Sequence, residues 1–372
     1  MSSDSMTTGT AETAPDHTVA GVDVGDAALA AMLRERLGDV ETMLVDRLAS
    51  GEDFLSEVAL HLVTAGGKRF RPLMTLLTGH LGPQPDTDRL VKAAVVCEMI
   101  HLATLYHDDV MDEATMRRGV ESANSRWDNS TAILAGDFLF AHASMLLADL
   151  GPAAVQLIAQ TFAELVTGQM RETVGPGAYG AADGAADGAA DGAADGAADG
   201  AAGGTVDEAE HYLRVIWEKT GSLIAAAAQF GGEYSGADAE QIARLRRLGD
   251  AVGIAFQIAD DIIDIASPSG DSGKTPGTDI REGVHTLPMI YALEADSPDS
   301  PRLRDLLAQP LTDDAEVAEA LDLLRASDGM RRARATLEKY VDDAMTELDA
   351  LPAGPANEAL RRLVRFTVDR VG

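Results

Sequence analysis

The chain is short of cysteine, aromatic residues, positive charge and long uncharged apolar runs, and each shortage removes a class of protein. Its one cysteine, Cys97, lies in an apolar stretch and has no partner for an internal disulfide, so the fold is not disulfide-stapled. That usage suits a reducing, cytoplasmic setting. The formal charge of −31, from 30 basic and 61 acidic residues, argues against a nucleic-acid partner and against an anionic membrane surface. No run of about 18 uncharged apolar residues occurs, so no spanning helix is expected and at most peripheral membrane contact. No basic region followed by an apolar one marks a secretory signal. Aromatics are 4% of the chain while 46% is hydrophobic, with Ala and Leu abundant, which favours a large core of packed helices. Hairpin signals are missing and the β-branched runs sit inside helical periodicity, so no strand is expected. The reading is all-α: a single-domain helical bundle of roughly a dozen helices around a central cavity.

Residues 1–22 are rich in Ser, Thr, Ala and acidic residues without periodicity and read as a disordered tail before a domain spanning 23–372. From Asp26, a plausible N-cap, apolar residues recur at helical spacing. The domain is interrupted at about 175–205, where Gly180-Ala-Ala-Asp repeats with a period of four to about Gly204. Glycine at every fourth position costs about 1 kcal/mol each time, and the repeat has no hydrophobic face. It reads as a disordered, acidic insertion between two helices.

Two acidic clusters stand out against apolar flanks: His107-Asp108-Asp109-Val110-Met111-Asp112 and Asp260-Asp261-Ile262-Ile263-Asp264. On a helix, residues i and i+4 share a face with Cβ atoms roughly 5–6 Å apart, so Asp108 points with Asp112, and Asp260 with Asp264. A hard divalent cation such as Mg²⁺ bridges such pairs and keeps positions for water or phosphate. A lone acidic triad is more often a solvated helix face. Two copies in apolar helices are costly unless a cation neutralises them. Basic residues gather in Gly66-Gly67-Lys68-Arg69-Phe70-Arg71-Pro72, in Arg117-Arg118-Gly119 and at Lys219-Thr220. The first group sits where a helix N-terminus and Arg side chains together suit a diphosphate. His101 lies seven residues before Asp108, two turns back on roughly the same face. No Ser-His-Asp set, cysteine nucleophile or Walker loop is evident. The clusters therefore suit Mg²⁺ and a diphosphate leaving group, whose developing charge the metals and cations stabilise.

With these motifs, and with Phe256-Gln257 before the second triad and Lys274 after it, the chain resembles the trans-isoprenyl diphosphate synthases, the polyprenyl synthetase family. The resemblance runs from about Asp26 to the end, outside the repeat, and implies the isoprenoid-synthase helical bundle. It implies catalytic roles for Asp108, Asp109, Asp112, Arg117, Lys219, Asp260 and Asp261, and metal-binding by Asp108, Asp112, Asp260 and Asp264. Three Mg²⁺ ions per site are implied, with Mn²⁺ able to substitute. Lys68, Arg71, His101 and Arg118 would hold the isopentenyl diphosphate, and Arg117, Lys219, Thr220, Gln257 and Lys274 the allylic diphosphate. A homodimer is implied too. Residues four and five before Asp108, Thr104 and Ala103, are small, whereas short-chain members commonly place a bulky residue there. The expected product is an all-trans polyprenyl diphosphate beyond about twenty carbons, of the kind used for menaquinone and other quinone side chains.

The alternatives are a short-chain synthase stopping at fifteen or twenty carbons, a terpene cyclase, and a non-catalytic synthase subunit. A cyclase typically mixes Asn, Ser and Glu in its second metal motif and lacks the Gly67-Lys68-Arg69 cluster. Non-catalytic subunits tend to lose the aspartates. A di-iron bundle would need Glu-x-x-His pairs.

Overall fold

The computed structural model describes residues 17–49, 53–175, 207–267, 276–295 and 300–369. The expected helices form, and local chemistry marks their ends. Helix α1 (Ala27–Leu48) starts where Asp26 accepts from the Leu29 amide at 2.8 Å. Helix α2 (Asp53–Thr64) is followed by Gly66 and Gly67, both at positive φ, and α3 (Phe70–Gly79) reverses direction there. Helix α4 (Asp88–Met111) is capped by Thr87 and ends at Asp112. Then come α5 (Ala123–Arg126), α6 (Asn129–Leu150) and α7 (Pro152–Val174). Helix α8 (Glu208–Ile216) runs through a five-residue π turn, Trp217–Gly221, into α9 (Ser222–Ser235). The long α10 (Ala239–Ala266) opens with an Asp238–Gln241 capping box. It is followed by α11 (Thr278–Glu282), α12 (Leu287–Glu294), α13 (Ser300–Leu306), α14 (Asp314–Ala326), α15 (Asp328–Asp349) and α16 (Pro355–Asp369).

Helix α4 is the hub of the larger apolar cluster, packed by α1, α3, α6 and α9. The second cluster lies where the C-terminal half of α10 meets α12 to α15. Two helices, α4 and α6, are long and apolar enough to cross a membrane by length and composition. The apolar window of α4 is 72% buried within the protein, that of α6 only 39%. Helix α4 is thus accounted for as core, and α6 keeps an uncovered apolar side.

Helices α9 and α10 lie almost in contact. A Cβ on Gly249 would sit 2.5 Å from the Ala225 Cα, and one on Gly253 2.5 Å from the Gly221 Cα. The Ala225–Ala228 run and these glycines let α10 bring its aspartates close to the π turn.

The structure departs from expectation at two hairpins and one helix. β1 (Thr18–Val19) pairs with β2 (Val22–Asp23), and β3 (Met116–Arg117) with β4 (Val120–Glu121). Both two-residue turns, Ala20-Gly21 and Arg118-Gly119, have positive φ throughout, the backbone that twists a tight hairpin correctly. Strands this short show no alternation in sequence. The first hairpin also corrects the expected disorder of residues 1–22 from His17 onward, because Val19, Val22 and Val24 are buried and Asp23 pairs with Arg362 at 2.8 Å. Helix α11 lies in the Gly- and Pro-containing stretch after α10, where the sequence carries no helical periodicity. The Gly-Ala-Asp repeat from residue 176 lies outside the described residues.

Gly249→Ala should destabilise the protein by about 1–3 kcal/mol, because the new methyl meets backbone and the helices must part. Denaturant unfolding measures this, and unchanged stability would refute the close-contact argument.

Candidate active site

The first triad closes α4. Asp108 is half-buried and lines a cavity of about 740 Å³. Asp112 caps the helix one turn on, its amide donating to the Asp108 carbonyl at 2.8 Å. Burial pushes the Asp108 carboxyl up to about 6; Lys219 and Arg117 oppose the rise and Asp112 adds to it. Asp109, expected to be catalytic, points away from the cavity. It is 0% exposed and accepts from Arg117 Nε at 2.6 Å, so its place is to hold the β3 arginine.

The basic wall is built around Glu98, a carboxylate on α4 that is only 1% exposed. Arg69, at φ 48°, turns inward to donate to Glu98 at 2.9 Å, to Glu41 and to the Val63 carbonyl at 2.9 Å. Arg118, in the β3–β4 turn, lies 3.5 Å from Glu98 and donates to the carbonyls of Leu62 and Gly66. A Cβ on Gly67 would sit 2.9 Å from the Arg118 Cζ, so the loop must carry glycine to wrap this guanidinium. Lys68 is exposed on the same loop. Arg71 and His101 line the cavity itself, and the Arg71 Nε is buried without a protein partner. Burial, then Arg71, Arg118, Arg69 and Arg117, hold His101 well below its usual pKa, so it stays neutral and adds a donor without charge.

The third wall is the π turn, whose extra residue aims both Lys219 and Thr220 into the cavity. Each of its residues is held from outside. Trp217 Nε1 donates to Asp250 at 2.8 Å, Glu218 pairs with Arg171 at 3.0 Å, and Lys219 pairs with Glu172. Thr220 donates to Gln257 at 3.3 Å, and Gly221 abuts Gly253.

The second triad is more divided than its spacing suggests. Asp260 is half-buried. Asp261 is buried and accepts from Tyr212 and, at 3.1 Å, from Gln257, so it is an internal acceptor. Burial, then Asp279, push its carboxyl well above the usual range. Asp264 takes the Thr278 and Asp279 amides, each at 3.2 Å, and so holds the start of α11. The Glu282 carboxyl, at the end of α11, is pushed up by partial burial and then by Asp112 and Asp264. Lys274 lies outside the described residues.

Below the charged rim the cavity is apolar, lined by Leu105, Phe162, Leu165, Val166 and Leu223. Thr104 lines it too, its hydroxyl donating back to the His101 carbonyl at 2.8 Å. Ala103 does not. It is 1% exposed and its carbonyl faces Gly136 of α6, because it stands about 100° round the helix from Thr104. Among the described residues no three His, Cys, Asp or Glu side chains are close enough to enclose a metal ion alone. Separated carboxylates of this kind fit a hard divalent ion that takes its remaining ligands from water or phosphate.

Sequence reasoning missed Glu98 as the counter-ion, Tyr212 as the donor to Asp261, and Gln169 and Glu172 on α7. A lone glutamate in an apolar helix signals the first. Gln169 and Glu172, three residues apart, carry the same one-face spacing as the triads.

Known proteins resemble this chain over most of its length. A family profile described as polyprenyl synthetase matches residues 52–324. The chain is 55% identical over 358 residues to the nonaprenyl diphosphate synthase of Mycobacterium tuberculosis, covering 96% of this chain and 99% of that one. It is 43% identical to a dimethylallyltranstransferase of the same organism, covering 94% and 98%. The crystal structure of geranylgeranyl pyrophosphate synthase from Corynebacterium glutamicum, complexed with calcium and isoprenyl diphosphate, superposes with a TM-score of 0.79 at 49% identity, covering 94% of this chain and 99% of that one. The chain belongs to the polyprenyl synthetase family and is a trans-prenyltransferase.

Proposed function

We propose that the chain condenses isopentenyl diphosphate with an allylic diphosphate, in the presence of Mg²⁺, to an all-trans polyprenyl diphosphate longer than about twenty carbons. The carrying observation is that Asp108, Arg71, His101 and Lys219 line the same cavity as a predominantly apolar set of side chains, among them Leu105, Phe162, Leu165 and Leu223. Mg²⁺ held by Asp108, Asp112 and Asp260, with Mn²⁺ as a substitute, would supply charge to ionise the allylic C–O bond. Lys219, Thr220, Arg117 and Gln257 hold and orient that diphosphate. Arg71, His101, Arg118 and Lys68 hold the diphosphate of isopentenyl diphosphate, whose double bond attacks the allylic cation. The proton then lost goes to the released pyrophosphate. The growing tail follows the apolar wall past Thr104.

Small Thr104 and the likeness to a nonaprenyl diphosphate synthase support the long product. A short product is the second reading. It is favoured by Phe162, which stacks on Phe140 with ring centroids 4.5 Å apart and could floor the cavity. We also propose a cytoplasmic homodimer. Leu134, Phe138 and Met145 of α6, with Val155 of α7, leave an apolar side, Leu134 being 64% exposed.

Incubating the protein with Mg²⁺, isopentenyl diphosphate and farnesyl diphosphate should give a product ladder ending well beyond about twenty carbons. A stop at about fifteen to twenty carbons would select the short-chain reading, and no elongation would refute the function. Thr104→Phe should shorten the ladder, whereas Ala103→Phe should act on α4–α6 packing and stability. Metal affinity should fall as pH drops through about 6, since protonating Asp108 removes a ligand charge; calorimetric Mg²⁺ titration from about pH 8 to about pH 5 checks this, and a flat profile would count against Asp108 as a ligand. Leu134→Glu should convert a dimer to monomer in sedimentation, and an unaffected dimer would place the interface elsewhere.

A further inference from the structure

The second triad contains a carboxylate that the metal reading does not use. Asp261 is buried, and both of its oxygens meet protein donors, Tyr212 Oη on one side and Gln257 Nε2 at 3.1 Å on the other. Gln257 in turn accepts from Thr220 Oγ1 at 3.3 Å. Three elements are joined in one line: α8 through Tyr212, α10 through Asp261 and Gln257, and the π turn through Thr220.

The chemistry of the line fixes a direction. A side-chain amide has a donor end and an acceptor end, and here the donor end meets Asp261 Oδ1 while the acceptor end meets the Thr220 hydroxyl. Asp261 therefore decides which way Gln257 faces: its NH₂ goes to the carboxylate and its carbonyl to Thr220. The Thr220 side chain is thereby fixed at the cavity wall beside Lys219. Asp261 can do this only while its other oxygen is satisfied, because a buried carboxylate oxygen without a donor competes for the nearest one. Tyr212 supplies that donor. Its ring belongs to the second apolar cluster, so its hydroxyl is held by packing.

We infer that Tyr212 is a positioning residue for the allylic-diphosphate wall: by donating to Asp261 it fixes the Gln257 amide and, through it, the Thr220–Lys219 pair. The inference rests on the prenyl-transfer reading above and assigns Tyr212 no contact with substrate.

Tyr212→Phe keeps the ring and removes only the donor. It should raise KM for the allylic diphosphate about tenfold, leave KM for isopentenyl diphosphate within about twofold, and weaken binding of farnesyl thiolodiphosphate, whose C–S bond does not ionise, by about tenfold. Thr220→Val breaks the same line at its other end, so the double variant should be no worse than the poorer single one. Three results would overturn the inference: lower thermal stability with unchanged allylic KM and analogue binding, both KM values rising together, or multiplicative effects in the double variant. Analogue binding needs no turnover. If the wild-type protein binds the analogue and does not elongate, the prenyl-transfer reading fails while the binding comparison still decides the role of Tyr212.

Discussion

A carboxylate taken out of water must meet a donor or a cation, and this fold gathers carboxylates at the ends of α4 and α10 where water is scarce. Much of the local architecture resolves that conflict. Asp109 takes Arg117, Asp264 takes two backbone amides, and Asp261 takes Tyr212 and Gln257. Asp108 lines the cavity with its carboxyl raised to about 6, the signature of a negative charge for which the protein alone has too little compensation. Divalent metal is the physical completion of such a site. The two D-D-x-x-D patterns are thus a division of labour, with some aspartates facing the chemistry and others holding the elements that face it.

The basic side follows the same logic with signs reversed. Glu98, alone on the apolar face of α4, neutralises Arg69 and stands beside Arg118. Removing one partner of such a buried set typically costs about 3–5 kcal/mol, because the others are left uncompensated. With Arg69 held as structure, Arg71 and a neutral His101 remain to line the cavity. A chain of formal charge −31 can still offer donors to an anion, because Arg71, Lys219 and the neutral His101 line one cavity.

Spacing and apolar flanks made the chemistry legible, since D-D-x-x-D on a helix puts side chains on one face wherever the helix packs. The helices were legible through signals such as Asp26 and the Gly66-Gly67 break for the same reason: these signals are local. What sequence could not supply was long-range pairing. Nothing near Asp261 announces Tyr212, 49 residues away, and nothing near Glu98 announces Arg69, 29 residues away. The hairpins escaped because two-residue strands carry no period. Ala103 and Thr104 looked equivalent in sequence, and the α4–α6 packing alone separates them.

The two ends of the cavity work by different forces, and this explains how one fold can vary its product while keeping its reaction. At the rim, charge and hydrogen bonds grip the diphosphates, with strength set by geometry over a few ångströms. Below it, the tail gains about 0.8 kcal/mol for each methylene buried, a non-directional gain that continues for as long as there is space. Thr104 stands at the junction, one turn or about 6 Å below Asp108 along α4. Its hydroxyl donates to the His101 carbonyl and so is already partnered within α4. On the proposed reading, bulk there would obstruct the tail while leaving the carboxylates one turn away in place. On that proposed reading, chain length is a property of the apolar wall, one helical turn from the carboxylates.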